Sequence, residues 1–173
     1  MTEEKTGAKI NITAINKIKI NNDRTAVITY VQSGDLSSSE VVYTGKERVT
    51  DEFFKKFQEN VEGFIGCVPA LKKDMHNITM NAIKFDFGKN NEALKNALYT
   101  VKYAFNTANN AVLNISTPLI PLYQDDFDEK TFCISGKHES LLKEVIELAK
   151  RYINGETGTV QTKLNLVVNN EEG

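Results

Sequence analysis

From Ile10 onward, apolar residues fall on every second position, with Ile10, Ile12, Ala14, Ile18 and Ile20 in one phase and Asn16 as the exception. A period of two marks a strand with one face buried. "NND" at Asn21 to Asp23 supplies turn residues. The run that follows, "RTAVITYVQ", is β-branched and aromatic. It stops at "SGD", Ser33 to Asp35, ahead of a third run, "SSSEVVYTG". Three such runs with short turns predict an antiparallel meander.

The period then changes. Phe53, Phe57, Val61, Phe64 and Val68 recur at spacings of three and four, behind Thr50 as N-cap and Asp51 and Glu52 in a first turn. This predicts one amphipathic helix that ends before Pro69. In "NITMNAIKFDFG", Ile78, Met80 and Ala82 share one phase while Ile83, Phe85 and Phe87 share the other. A bulge near Ala82 or Ile83 would reconcile them.

"EALKNALYTVKYAF" fits a helix through Leu94, Leu98, Val101 and Phe105, and a strand through Ala97, Tyr99, Val101, Tyr103 and Phe105. The aromatic alternation favours a strand from about Ala97, paired through the "NTANN" loop with "AVLNIST" as a hairpin. Pro118 and Pro121 should end that second strand, because neither has an N–H for a continuing ladder. A last helix opens at Ser135 or Lys137. Its stripe is Leu141, Leu142, Val145, Leu148, Ala149 and Tyr152, and Gly155 stops it. One further short strand is expected in "ETGTVQTKLNLVVNNEEG".

With no repeat, linker or low-complexity segment, these elements predict one α+β domain over residues 1–173. It is an antiparallel sheet of about six strands with two main helices packed on one face, and its ends, 1–8 and 168–173, fray. A sheet covered on one side has a free face. If the aromatic face of Tyr99, Tyr103 and Phe105 lies outside the helices, it is open to dimerisation or a ligand.

Composition narrows the functions. The 40% hydrophobic and 25% charged content is that of a globular chain. Twenty-one Lys and Arg against 23 Asp and Glu, with no basic run, exclude stable duplex binding by a monomer. No apolar run is long enough to span a bilayer, and "MTEEKTGAKI" lacks the apolar core of a signal peptide. Cys67 and Cys133, in apolar surroundings, suit free thiols in a reducing cytoplasm. The sequons at Asn11, Asn77 and Asn114 then go unused.

Candidate chemistry is sparse. Cys133 and His138, and Cys67 and His76, have spacings that match no common zinc pair, so no metal or cofactor is expected. Asp125, Asp126, Asp128 and Glu129 lack the glycine and terminal glutamate of a calcium loop. "GFIG" at Gly63 to Gly66 matches a nucleic-acid clamp only in its glycines and reads better as a helix kink or end. No nucleophile elbow, phosphate loop or dinucleotide fingerprint is present, and His76 beside Asp74 is the one general-base candidate. The balance shifts from catalysis to binding. The residues best suited to binding are Tyr99, Lys102, Tyr103, Asn114, Ser116, Thr117 and Tyr123, on the predicted hairpin and its rim, with Asn106 nearby. Tyrosines stack, amides and hydroxyls give directional hydrogen bonds, and Lys102 can meet a phosphate.

"MNAIKFDFG" at Met80 to Gly88, "AVLNISTPLIP" at Ala111 to Pro121 and "LAKRYINGE" at Leu148 to Glu156 resemble segments of a family of small phage and prophage proteins of Gram-positive bacteria. In that family the hairpin's second strand ends in Asn-Thr-Pro, where Ser116, Thr117 and Pro118 stand here. The family's last helix is followed by basic residues, where Glu156 and Thr157 stand here. The resemblance implies a viral origin and the host bacterial cytoplasm, and it brings no activity with it. Combined with the missing catalytic motifs, it leads to the expectation of a non-enzymatic, homo-oligomeric phage protein. Such a protein would bind and neutralise a component of antiviral defence, either a host protein or a nucleotide second messenger. The alternative is an accessory factor that binds single-stranded DNA in replication or recombination.

Overall fold

The computed structural model describes residues 10–89, 93–128 and 132–158. β1 (Ile12–Ile20), β2 (Thr25–Ser33) and β3 (Ser38–Arg48) form the expected meander. Asn21 and Asp23 make the first turn: the Asn21 carbonyl accepts the Arg24 N–H at 2.9 Å, and the Asp23 carboxylate accepts the N–H and hydroxyl of Thr25. β4 (Ile78–Asp86), β5 (Asn96–Ala104), β6 (Val112–Ser116) and the two-residue β7 (Ile120–Pro121) complete one antiparallel sheet. Its order is β3-β2-β1-β4-β5-β6, with β7 also beside β5. The fold is thus α+β, as the period changes predict. The segment with two possible periods is strand.

The predicted first helix is two. α1 (Asp51–Glu59) starts at Thr50, whose hydroxyl accepts the Phe53 N–H, and α2 (Val61–Cys67) stops short of Pro69. The break falls at Asn60, a buried residue whose amide donates back to the carbonyls of Lys56 and Phe57. The apolar stripe survives the break, since Phe53, Phe57, Val61 and Phe64 are all buried. A 3-10 helix, Pro69–Asn77, leads into β4. α3 (Lys137–Ile153) matches the last predicted helix, and Gly155 follows it with a left-handed φ of 100°. The short strand expected in the tail falls mainly on residues 159–173, outside the described residues, as do both expected frayed ends.

All three α-helices pack on one face of the sheet. Ile18, Ile28, Ile83, Tyr99 and Val101 meet Phe53, Phe57, Phe64, Leu142, Val145 and Ala149 in one core. Two irregularities shape it. Tyr152 of α3 lies against Gly45, where a side chain would have no room, and its hydroxyl donates to the Glu47 carbonyl. The bulge in β4 falls at Asn81, between Met80 and Ala82, one residue earlier than the periodicity places it. There the Gln58 amide of α1 accepts the Met80 N–H at 2.9 Å and donates to the Met80 carbonyl at 3.0 Å. Met80 lies beyond the last β1–β4 partner pair, Lys19 and Ala82, so Gln58 stands in for the strand that has turned away.

Candidate binding surface

Pairing register decides which residues share the uncovered face. Alternation puts Lys17 and Lys19 of β1 opposite to the buried Ile18 and Ile20. Lys84 of β4 likewise points away from Ile83 and Phe85. Lys17 pairs directly with Lys84 across β1 and β4, and Lys19 pairs with Ala82. The rows continue outward, from Lys17 to Thr29 and Val42 on one side and from Lys84 to Leu98 on the other. The next row runs Thr44, Val27, Lys19, Ala82, Thr100 and Ser116. Lys102 and Asn114 form the margin, with the Lys102 ammonium donating to Asn22 at 2.8 Å.

Like charges placed directly opposite on a sheet are destabilising. Among the described residues, Lys17, Lys19 and Lys84 have no ion-pair partner. The carboxylates of this face sit at its edges and are held by amides. Glu40 accepts from Asn16 at 2.8 Å, and Asp86 accepts from Asn96 at 2.7 Å. The Gly88 N–H and the Asn96 amide, with a smaller contribution from the Lys84 ammonium on the same strand, hold the Asp86 carboxyl below the ordinary carboxylate range. On the helical side, by contrast, Lys56, Lys137, Lys143, Lys150 and Arg151 all pair with glutamates.

The residues singled out from sequence do not form one site. Tyr99 is 0% exposed beneath the helices, because odd positions of β5 face the core. A Cβ at Gly63 of α2 would lie 2.8 Å from its hydroxyl oxygen, which has no hydrogen-bond partner among the described residues. Burial pushes the Tyr99 phenol up from its ordinary value. Tyr103 is on that same side, half-buried and edge-on to Phe105 with ring centroids 4.8 Å apart. The condition for an open aromatic face thus fails at Tyr99, which is core, while Tyr103 is half-buried and Phe105 exposed. Lys102, Asn114 and Ser116 do lie together on the free face, where Ser116 shares a 2.9 Å hydrogen bond with Thr100. Tyr123 is exposed, in edge contact with Phe127, and belongs to neither group.

Thr117 is buried and structural. Ser116 pairs with Thr100 and Ile120 with Ala97, so four steps along the edge match three along β5. The extra residue makes a bulge at Thr117 to Leu119. The Tyr99 N–H is taken up there by the Thr117 hydroxyl at 3.1 Å, while the Thr117 N–H donates to the Tyr99 carbonyl. Pro118 ends β6 as expected. Pro121 instead sits inside β7, its carbonyl accepting the Ile134 N–H at 2.8 Å.

Among the described residues, two of the larger grooves lie on the helical side. One of about 630 Å³ is lined by Ile10, Asn11, Ile12 and the end of α3, but its cations, Lys150 and Arg151, are already paired with Glu147 and Glu156. The other, about 500 Å³, has an apolar floor of Phe54, Val61 and Ile78 beside Glu59 and Glu62. The first therefore offers no uncommitted cation to a phosphate, and the second offers only Lys55, set beside Glu59 and Glu62. Cys67 donates to the Gly63 carbonyl, and burial pushes its thiol up to about 11. No three His, Cys, Asp or Glu side chains among the described residues come together as metal ligands. No helix among them is long and apolar enough to cross a membrane.

The signal for Lys17, Lys19 and Lys84 is present in the sequence as the polar phase of "NKIKI" and "IKFD". Lysines alternating with isoleucines read as ordinary solvated positions. Only the register sets Lys17 against Lys84. Comparison with known proteins adds no constraint: no protein-family model, no curated protein and no solved structure matches the chain.

Proposed function

We propose that the protein works by binding, and that its free sheet face docks on an acidic surface of a partner protein. The observation that carries this is the direct opposition of Lys17 and Lys84, with Lys19 beside them and no carboxylate between. Within the chain the opposition is offset only by the weak attraction of Asp86 for Lys84, and a local rule broken with so little internal compensation is expected where an external partner supplies the rest. The hydroxyls of Thr29, Thr44, Thr100 and Ser116 around the lysines offer hydrogen bonds to a protein surface, and charge complementarity would steer encounter. In the phage setting that the resemblance implies, the partner is a host defence protein.

Two features favour this over the other expectations. A nucleotide messenger needs several uncommitted cations in a concave site, whereas the cations lining the larger groove are paired and the smaller one sets a single lysine, Lys55, beside Glu59 and Glu62. Single-stranded DNA is held by aromatic stacking beside a basic groove, whereas Tyr99 and Tyr103 belong to the opposite face.

The test is affinity purification of the wild-type chain and a Lys17→Glu, Lys84→Glu variant from infected cells. The wild type should retain an acidic partner in stoichiometric amount, released by salt, and the variant should lose it. Equal retention by both, or a salt-sensitive shift of a thymidine oligomer by the wild type alone, overturns the reading.

A further inference from the structure

We propose that β6 is a self-pairing edge through which two copies of the chain join, antiparallel about a two-fold axis at Asn114, into one continuous sheet. The inference rests on the contrast between the sheet's edges. β3, at one end, carries Glu40, Lys46 and Arg48, the charges with which exposed edges are usually blunted. β7 is covered on its outer side: the Ile134 N–H donates to Pro121 and the Tyr123 N–H donates to Ile134. β6, "VLNIS", has no charge, no proline within it and no bulge, and its outer side has no strand partner among the described residues.

Its sequence is complementary to itself in that register. With Asn114 opposite Asn114 of the second copy, Leu113 falls opposite Ile115 and Val112 opposite Ser116. The apolar pair lies on the helical side and the amides lie on the lysine side. Because the strand is uncharged, a second copy meets no repulsion along it, as it would along β3. Val112 is 57% and Leu113 49% exposed in the single chain. A stable interface buries on the order of 1,200 Å² in total, more than a strand of five residues supplies alone. Phe105 and Leu119, exposed at its two ends, extend the contact.

Light scattering should report a dimer at micromolar concentration, and Leu113→Lys should make it a monomer with an unchanged circular dichroism spectrum. Asn114→Cys should oxidise to a covalent dimer, because opposed residues on adjacent antiparallel strands lie within disulfide reach. Wild-type protein and Val42→Cys on β3 serve as controls. A monomeric wild type, or a dimer that survives Leu113→Lys or fails to cross-link at position 114, overturns the proposal. Because Lys17→Glu, Lys84→Glu leaves β6 untouched, loss of the partner and loss of the dimer are separable results.

Discussion

At the scale of single residues, the strongest expectations concern buried polar groups. The Tyr99 hydroxyl has no partner among the described residues, so it incurs the cost of desolvation without a compensating bond. Tyr99→Phe should leave thermal stability unchanged or raise it. Gly63→Ala, which brings a methyl against that hydroxyl, should destabilise by about 1–3 kcal/mol, and the penalty should shrink in the Tyr99→Phe background. Thr117→Val preserves the side chain's shape but deprives the buried Tyr99 N–H of its acceptor, for a loss of about 1–3 kcal/mol in urea denaturation. Asp86 gives a pH dependence. Its carboxyl is held below its unfolded-state value, so its contribution is complete above the ordinary carboxylate range and disappears as pH falls through the lowered value. Asp86→Asn should therefore reduce the difference in urea midpoint between neutral and acidic pH.

At the scale of elements, Gln58 joins α1 to β4 by two hydrogen bonds at the point where β1 turns away. Gln58→Ala should cost about 1–3 kcal/mol by leaving both polar groups of Met80 unmatched, and hydrogen exchange at Met80 should accelerate relative to Ile83. Element type was legible along most of the chain because period and caps agreed: Thr50 caps α1, and Pro118 stops β6. What was not legible was interruption. The stripe through Phe53, Phe57, Val61 and Phe64 continues across Asn60, so nothing in its spacing announces a break. Bulge position is equally hidden. The phase change in "NITMNAIKFDFG" requires a bulge, but the hydrogen bonds from Gln58, distant in sequence, sit beside Met80 and the bulge at Asn81.

At the scale of the whole molecule, charge differs by side among the described residues: Lys56 of α1 and Lys137, Lys143, Lys150 and Arg151 of α3 pair with glutamates, whereas Lys17, Lys19 and Lys84 of the sheet make no ion pair. Lys17→Glu should relieve the opposition to Lys84 and stabilise the isolated fold by ~0.2–1 kcal/mol, while weakening attachment to the partner. A stabilising substitution that harms binding would separate the role of this face from that of the core. The candidate residues of the predicted hairpin divided for a geometric reason. Tyr99 and Tyr103 share the core phase of β5. Lys102 shares the other phase and, through register, the company of Asn114 and Ser116.

The sequence by itself determined most of the element types and the α+β class, because periodicity and capping are local and leave their pattern in consecutive residues. Tertiary structure decided strand order and register, and with them the meeting of Lys17 with Lys84, the burial of Tyr99 and the uncovered edge at β6. These depend on which strands lie side by side, and pairing between residues far apart in the chain leaves no trace in the spacing of either partner.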